Sequence, residues 1–260
     1  MKKNNLILGT FLAFTAILYS SCGASSSSDS TSTVKVEDST STEKVEGSTE
    51  STESGAVVTI GSQVWTSKNL DVATYRNGDV IPQVQDASAW SKLKTGAWCY
   101  FKNDASNGTK YGKLYNWYAV NDKRGLAPNG FHIPSDEEWT ILTDYLGGEA
   151  ADGFSVISSR YAGTKMKSSF GWIPCNGTNG NGTNSSGFAG FPGGFRYHDG
   201  TFRNNGGAGY WWSATDYVLG GHEYLYAWFR SLSFHTGFVY RGSYNLDYKQ
   251  NACSVRCLGD

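Results

Sequence analysis

The sequence predicts an α+β domain of short, aromatic-rich antiparallel strands, one to three helices and long loops of glycine and asparagine. Three observations carry that expectation. Aromatic residues make up 15 % of the chain, with 9 Trp and 16 Tyr, while long aliphatic runs are few. A core made from such a chain is built largely of rings. Glycine is abundant, at 32 residues, and falls mostly between the aromatic segments, where it marks turns. One segment carries a full set of helix-start and helix-stop signals.

The elements follow in order. Val57 to Trp65 alternates, with Val58, Ile60 and Val64 apolar and a turn at Gly61-Ser62. Asn69 to Val72 continues in extended form, and Asn77-Gly78-Asp79 is a turn signal. Asp86 is placed to cap a short helix running through Trp90 and Leu93. The clearest helix spans Ser135 to Leu146. Ser135 and Glu138 form a capping box, Asp136 and Glu137 complement the positive end of the helix dipole, and Gly147-Gly148 stops it. Its apolar residues Trp139, Leu142, Tyr145 and Leu146 are expected on one face. Helix-start electrostatics accounts for the three acidic residues without acid–base catalysis. From Asn176 to Gly194 the chain is almost all Gly, Asn, Ser and Thr, anchored by Phe188 and Phe191. Short strands are then expected at Gly194–Tyr197, Gly209–Ala214, Leu225–Arg230 and Ser254–Leu258.

Ahead of this domain the chain reads as an address and a tether. Lys2 and Lys3 precede an apolar run from Leu6 to Tyr19, shorter than the roughly 20 residues that span a bilayer core. Ser20-Ser21-Cys22 then resembles a bacterial lipobox, which implies a signal peptide over 1–21 and a lipidated Cys22. Residues 22–55 form the stalk. Of the 32 residues from 23 to 54, 17 are Ser or Thr, seven are acidic and two are lysines, so the segment cannot offset its ordering entropy by burial. As a coil it spans about 30 Å, and roughly 100 Å pulled straight. The expected location is the outer membrane or cell surface, with the membrane as partner through the lipid.

The domain, 56–260, holds 18 Lys+Arg against 16 Asp+Glu and no basic run, which argues against nucleic acid as a partner. Its four cysteines, Cys99, Cys175, Cys253 and Cys257, permit disulfides outside the cytoplasm, in three connectivities. No zinc-type spacing supports a metal site. Along an extended strand Cys253 and Cys257 stand about 13 Å apart, too far to bridge, so each is expected to pair upstream.

Several blocks together resemble the Fibrobacter succinogenes major paralogous domain. They are Ile60 to Trp65 with Asn69-Leu70, Tyr111 to Val120, Pro128 to Ser135 with Glu138-Trp139, Gly187-Phe188 with Pro192 to Arg196, Gly209 to Ser213, and Ser254 to Cys257. The resemblance covers about residues 58–260. It implies a C-type-lectin-like fold, near the formylglycine-generating-enzyme domains, with the ends of the domain close together. Leu126 stands where many members have a cysteine, and Cys253 where they more often have glycine, which suggests a relocated disulfide partner.

Three functions compete. As a binding module, the domain is expected to stack glycans on Tyr210, Trp211, Trp212, Tyr217 and Trp228, with Arg196, His198 and Asp216 as polar partners. Strand alternation is expected to bury one of Trp211 and Trp212 and expose the other. As an enzyme like the formylglycine-generating group, it needs a close cysteine pair upstream of the terminal strand. The corresponding segment, Phe238 to Arg241, has none, and no other catalytic motif is present. As a surface structural protein, it binds a protein partner. The tripeptides Glu-Pro-Asn, Gln-Pro-Asp and Trp-Asn-Asp of calcium-dependent lectins are absent. A structural calcium at carboxylates such as Asp199 or Asp216 stays open. The expectation is therefore a non-catalytic surface lipoprotein that binds glycan or protein, without a resident cofactor.

Overall fold

The computed structural model describes residues 56–148, 157–219, 222–242 and 248–260, leaving aside the side chains of 219 and 222–225. The leader, Cys22 and the stalk lie outside the described residues.

The strands, in chain order, are β1 (Val57–Ile60), β2 (Gln63–Thr66), β3 (Trp98–Cys99), β4 (Leu114–Asn116), β5 (Phe131–His132), β6 (Ile157–Ser159), β7 (Gly193–Arg196), β8 (Phe202–Asn205), β9 (Ala208–Leu219), β10 (His222–Ser233), β11 (Val239–Gly242), β12 (Ala252–Cys253) and β13 (Leu258–Gly259). The helices are α1 (Ala87–Trp90), α2 (Ser106–Tyr111), α3 (Trp117–Val120), α4 (Asp136–Tyr145) and α5 (Ala162–Met166). The result is a mostly β, α+β domain. Five α-helices among the described residues exceed the expected one to three. Those missed are only four to six residues long, too short to show a helical period.

β1 and β2 form the expected hairpin, turning at Gly61, whose φ of 63° lies in the left-handed region. They belong to a four-stranded sheet of order β1-β2-β13-β5, so the first and last strands of the domain share one sheet. The second sheet has the order β3-β4-β12-β7-β9-β10-β11-β6, with β8 on β7. β9 and β10 make a long hairpin of 12 residues per strand, with register shifts around Ala227. The expected terminal strand Ser254–Leu258 is split. β12 pairs in the large sheet and β13 in the small one. Between them the backbone bonds Tyr210, Trp212, Leu70 and Thr66 in turn. The end of the chain therefore stitches the two sheets together.

α4 carries both bonds of the capping box. Ser135 Oγ accepts from the Glu138 amide at 3.2 Å, and Glu138 Oε2 accepts from the Ser135 amide at 2.7 Å. The helix buries Trp139, Leu142 and the following Leu146. Tyr145, expected on the same face, is exposed with its ring over Gly61. At about 100° per residue it stands some 120° around the helix from Trp139.

Both faces of the large sheet are covered. Tyr210, Trp212 and Phe229 face a core with Tyr115, Trp117 and Phe195. Trp211, Leu232 and Val239 face another with Trp65, Trp139 and Phe188. Both Trp211 and Trp212 are consequently buried, against the expectation that one is exposed. A sheet packed on two sides uses both parities of its strands.

No disulfide links Cys99, Cys175, Cys253 and Cys257, contrary to expectation. Cys99 pairs with Leu114 and Cys253 with Tyr115, adjacent positions on β4, so their side chains enter different cores. Cys175 sits in the glycine-rich loop and is partly exposed. Burial pushes the thiols of Cys99 and Cys257 up to about 12.

Candidate ligand-binding face

β7 ends at Arg196, and the chain turns through Tyr197 to Thr201 into β8. The turn is closed by bonds from the Tyr197 amide to Thr201 O at 2.7 Å and from the Gly200 amide to Tyr197 O at 2.9 Å. Gly200 has φ 87° and lies against Ala87, where a Cβ would come within 2.6 Å, so only glycine makes this turn. Asp199 Oδ1 accepts from the Thr201 amide at 2.8 Å and from its hydroxyl at 2.6 Å. The local outcome is a fixed turn that holds Tyr197 and His198 at the surface.

From there half-buried rings run on as a ledge. Ring centroids are 4.2 Å apart for Tyr197 and His198, 4.4 Å for His198 and Tyr248, and 5.1 Å for Tyr248 and Tyr226. The guanidinium of Arg203 lies 4.4 Å over Tyr197 and 3.7 Å from Asp199 Oδ2. This Arg–Asp pair is close to half-exposed, at 48 % and 43 %. Partial burial opposes ionisation of Asp199, but the Thr201 bonds and the Arg203 charge outweigh it and hold its carboxyl below the usual range. Burial first, and then the neighbouring Tyr248, raise the Tyr197 phenol above its ordinary value. Rings with an ionised pair on their rim can stack one face of a sugar and hydrogen-bond its hydroxyls.

Beside the ledge, Asp216 stands opposite Ala227 on the β9–β10 hairpin and binds Lys249 Nζ at 2.8 Å. The ammonium lies 4.6 Å over Trp117. Trp228 is half-buried under the Arg241 guanidinium, 3.7 Å away, with Tyr217 at its edge. Arg241 is directly across from Arg230 in the β10–β11 register, a like-charge pair that repels. Asp136, the first residue of α4, binds both. Burial opposes its charge, yet Arg241 and Arg230 prevail and lower its pKa.

Most of the sequence-expected ligand residues lie in the interior. Arg196 is fully buried, donating to the carbonyls of Gly200 at 3.0 Å, Val84 at 2.6 Å and Gln85 at 2.7 Å, and stacking over Trp90. Tyr210 OH accepts from Asn204, Trp211 Nε1 donates to Asn69, and Trp212 Nε1 donates to Tyr115 O. Tyr217 is buried as well. These five build the domain and offer no face to solvent, which corrects the expectation for Arg196, Tyr210, Trp211, Trp212 and Tyr217. His198 is on the ledge, and Trp228 and Asp216 flank it in internal pairs. The sequence reading missed Tyr197, Tyr226 and Tyr248. Tyr197 sits beside an Asp-Gly turn that signals it, but nothing local brings Tyr248 to His198.

The calcium idea fits poorly. Thr201 and Arg203 engage Asp199, and Lys249 engages Asp216. Among the described residues no three or more His, Cys, Asp or Glu side chains gather as ligands.

One further residue shows what the terminal block does. Arg256 is buried and donates to Asn69 Oδ1 at 2.8 Å and to the carbonyls of Thr66 at 2.9 Å, Phe188 at 2.6 Å and Ala189 at 3.2 Å. It joins β2, the glycine-rich loop and the chain end. The family model described as the Fibrobacter succinogenes major domain matches residues 58–258. The chain belongs to that family. No curated protein and no solved structure gives a match. In this Fibrobacter succinogenes major domain the recognisable blocks are architectural. They contain Arg196, Arg256, Trp211 and Trp212, together with Asn116, which caps α3 and ties down Thr95 and Ala97. The ledge residues Tyr197, His198, Tyr226 and Tyr248 lie outside those blocks.

Proposed function

We propose that this chain is a non-catalytic, lipid-anchored surface protein whose domain binds glycans on the ledge of Tyr197, His198, Tyr248 and Tyr226. The observation that carries the reading is the continuous run of half-buried rings, inclined to one another by 46–61°, with the Arg203–Asp199 pair beside it. A sugar can lay its C–H face on one such ring and hydrogen-bond its hydroxyls to the neighbouring charged pair. We read the fold as C-type-lectin-like in its paired end strands and long loops, with sugar recognition that does without calcium. The lipobox-like Cys22 and the Ser/Thr-rich tether support surface display.

A glycan array probed with the wild type and with His198→Ala and Arg203→Ala tests the site. The expected outcome is binding that is insensitive to chelator and weaker by about tenfold in each variant, since one stacked ring or charged bond contributes about 1.5 kcal/mol. A blank array together with capture of a surface protein through the same residues would transfer the ledge to a protein ligand. Radiolabelled palmitate that enters the wild type but not Cys22→Ala supports the anchor; equal membrane association of the two removes it.

A further inference from the structure

The chain contains seven Asn-Gly steps, beginning at Asn77, Asn107, Asn129, Asn176, Asn179, Asn181 and Asn205. Glycine has no Cβ to shield its amide nitrogen, so at each step the asparagine side chain can close onto the main chain. Closure needs a glycine amide that donates to nothing and a peptide plane free to rotate. Six of the seven steps fail on geometry. The glycine amide is committed at four. Gly78 donates to Tyr75 O, Gly108 to Ala105 O and Gly182 to Ser168 O, each at 2.9 Å, and Gly206 donates to Pro192 O at 2.8 Å. At the fifth, Asn179 Oδ1 accepts from the Asn181 amide at 3.0 Å, and Gly180 is buried against Ile173 O. At the sixth, Asn176 has φ 49°, in a turn closed by reciprocal bonds between Cys175 and Thr178 at 2.9 and 2.8 Å. A left-handed residue holds the next amide nitrogen trans to its Cβ, as far from ring closure as the bond allows.

Asn129 and Gly130 differ. Both are exposed, and among the described residues neither the Asn129 side chain nor the peptide between them has a hydrogen bond. The ends of their turn are pinned instead. The Phe131 amide donates to Pro128 O and the Asp260 amide to Gly130 O, both at 3.1 Å. Arg76 donates to Ala127 O at 3.0 Å on one side and to Phe131 O at 2.7 Å on the other. Gly130 has φ 75° and nothing within 4 Å of where a Cβ would sit, so the middle peptide has room to turn over between fixed ends.

We propose that Asn129 is a modification site, at which the folded domain deamidates through a succinimide formed with Gly130 and thereby loosens the tie to the chain end. The Gly130 nitrogen gives up its proton to water and attacks Asn129 Cγ. The Cγ–Nδ2 bond breaks, and ammonia leaves with a proton returned by water. A water molecule then opens the ring at either carbonyl, giving an aspartyl or an isoaspartyl link at position 129. Water is the co-reactant, and nothing is oxidised or reduced. The isoaspartyl link adds a methylene to the main chain inside a turn whose ends are held. The bond from Asp260 to Gly130 O, which continues the pairing of β13 with β5, is the one that yields.

The test is peptide mapping by mass spectrometry of the purified full-length chain, aged in warm, mildly alkaline buffer with and without urea, with unaged chain as the zero point. Trypsin releases Asn129 on the peptide from Gly125 to Arg160, where it is the sole asparagine, so a gain in mass there identifies the residue. Native conversion is expected within about tenfold of the rate in urea, because opening an exposed turn costs little, while the other six steps lag their urea rates by more than that. Asn129→Gln, whose longer side chain closes a ring far less readily, should leave that peptide unchanged. It should match the wild type in melting temperature before ageing and exceed it afterwards. Absence of conversion at Asn129 in the native sample, or faster native conversion at another Asn-Gly step, overturns the site. Equal melting of the aged wild type and the aged variant overturns the loosening of the chain end.

Discussion

Arg256 is a buried cation with no carboxylate in ion-pair range among the described residues. Its charge is offset by backbone carbonyls, one asparagine oxygen and the face of Phe188, 4.4 Å away. Burial lowers its pKa to about 9, which still leaves it charged at neutral pH. Arg196 and Lys167 are likewise held by backbone carbonyls. Lys167 Nζ donates to the carbonyls of Gly180, Ser233 and Thr236, at 2.8, 3.1 and 3.0 Å. Each gathers several carbonyls from separate segments, and a buried carbonyl left without a donor costs about 1–3 kcal/mol. Arg256→Leu is therefore expected to cost on the order of 4 kcal/mol in urea denaturation. Arg256→Lys should recover only part of this, because an ammonium cannot span the planar fork of acceptors. Arg203, exposed on the ledge, is the control: Arg203→Ala should shift stability by less than about 0.5 kcal/mol.

The start of α4 is where one element carries several jobs. Asp136 neutralises two arginines that face each other across β10 and β11, so Asp136→Asn is expected to destabilise by about 3 kcal/mol. Because its pKa is lowered on folding, this stability is present above the ordinary carboxylate value and is lost as pH falls through the folded value. The variant should flatten the acid limb of a stability–pH curve. His132 on β5 acts on the other side. Its Nδ1 meets Asp260 at 2.8 Å and its Nε2 meets Glu138 at 3.0 Å, tying the chain end to the helix. Partial burial disfavours the imidazolium, but the two carboxylates outweigh it and raise its pKa. Its contribution is complete below the ordinary histidine value and disappears as pH rises through the folded one. His132→Gln should remove that alkaline-side decline, as melting curves from pH 5 to about 9 would show.

These elements also show what the sequence could tell. The capping box, the Gly61 turn and the Asp86 cap were legible because each is settled within a few residues. The tie between Asp136 and Arg241 was not, since 105 positions separate them and helix-start chemistry already explained the aspartate. Trp211 and Trp212 misled for a similar reason. Alternation assigns faces, but it does not say that both faces are covered.

At the scale of the whole domain, the crossing of Ser254 to Cys257 between sheets and the carbonyl-gathering cations provide long-range ties that need no disulfide. Reductant is therefore expected to leave the melting temperature unchanged. Cys175 should react with a thiol reagent in the native state, with Cys99, Cys253 and Cys257 reacting only on unfolding. A drop in melting temperature under reductant would reveal a bridge and refute this.

The chain enters this domain through β1, an edge strand held on one side only, by β2. Val57 pairs with Thr66 at the open end of that hairpin. A pull on the N-terminal end of the domain therefore loads the hydrogen bonds one after another, starting at Ala56, whose carbonyl accepts from the Ser67 amide at 2.8 Å and its hydroxyl at 2.7 Å. Such a contact unzips at low force and stops where β2 is locked to β13. Under such a pull β1 is expected to peel away first and lengthen the chain while β2 stays paired with β13.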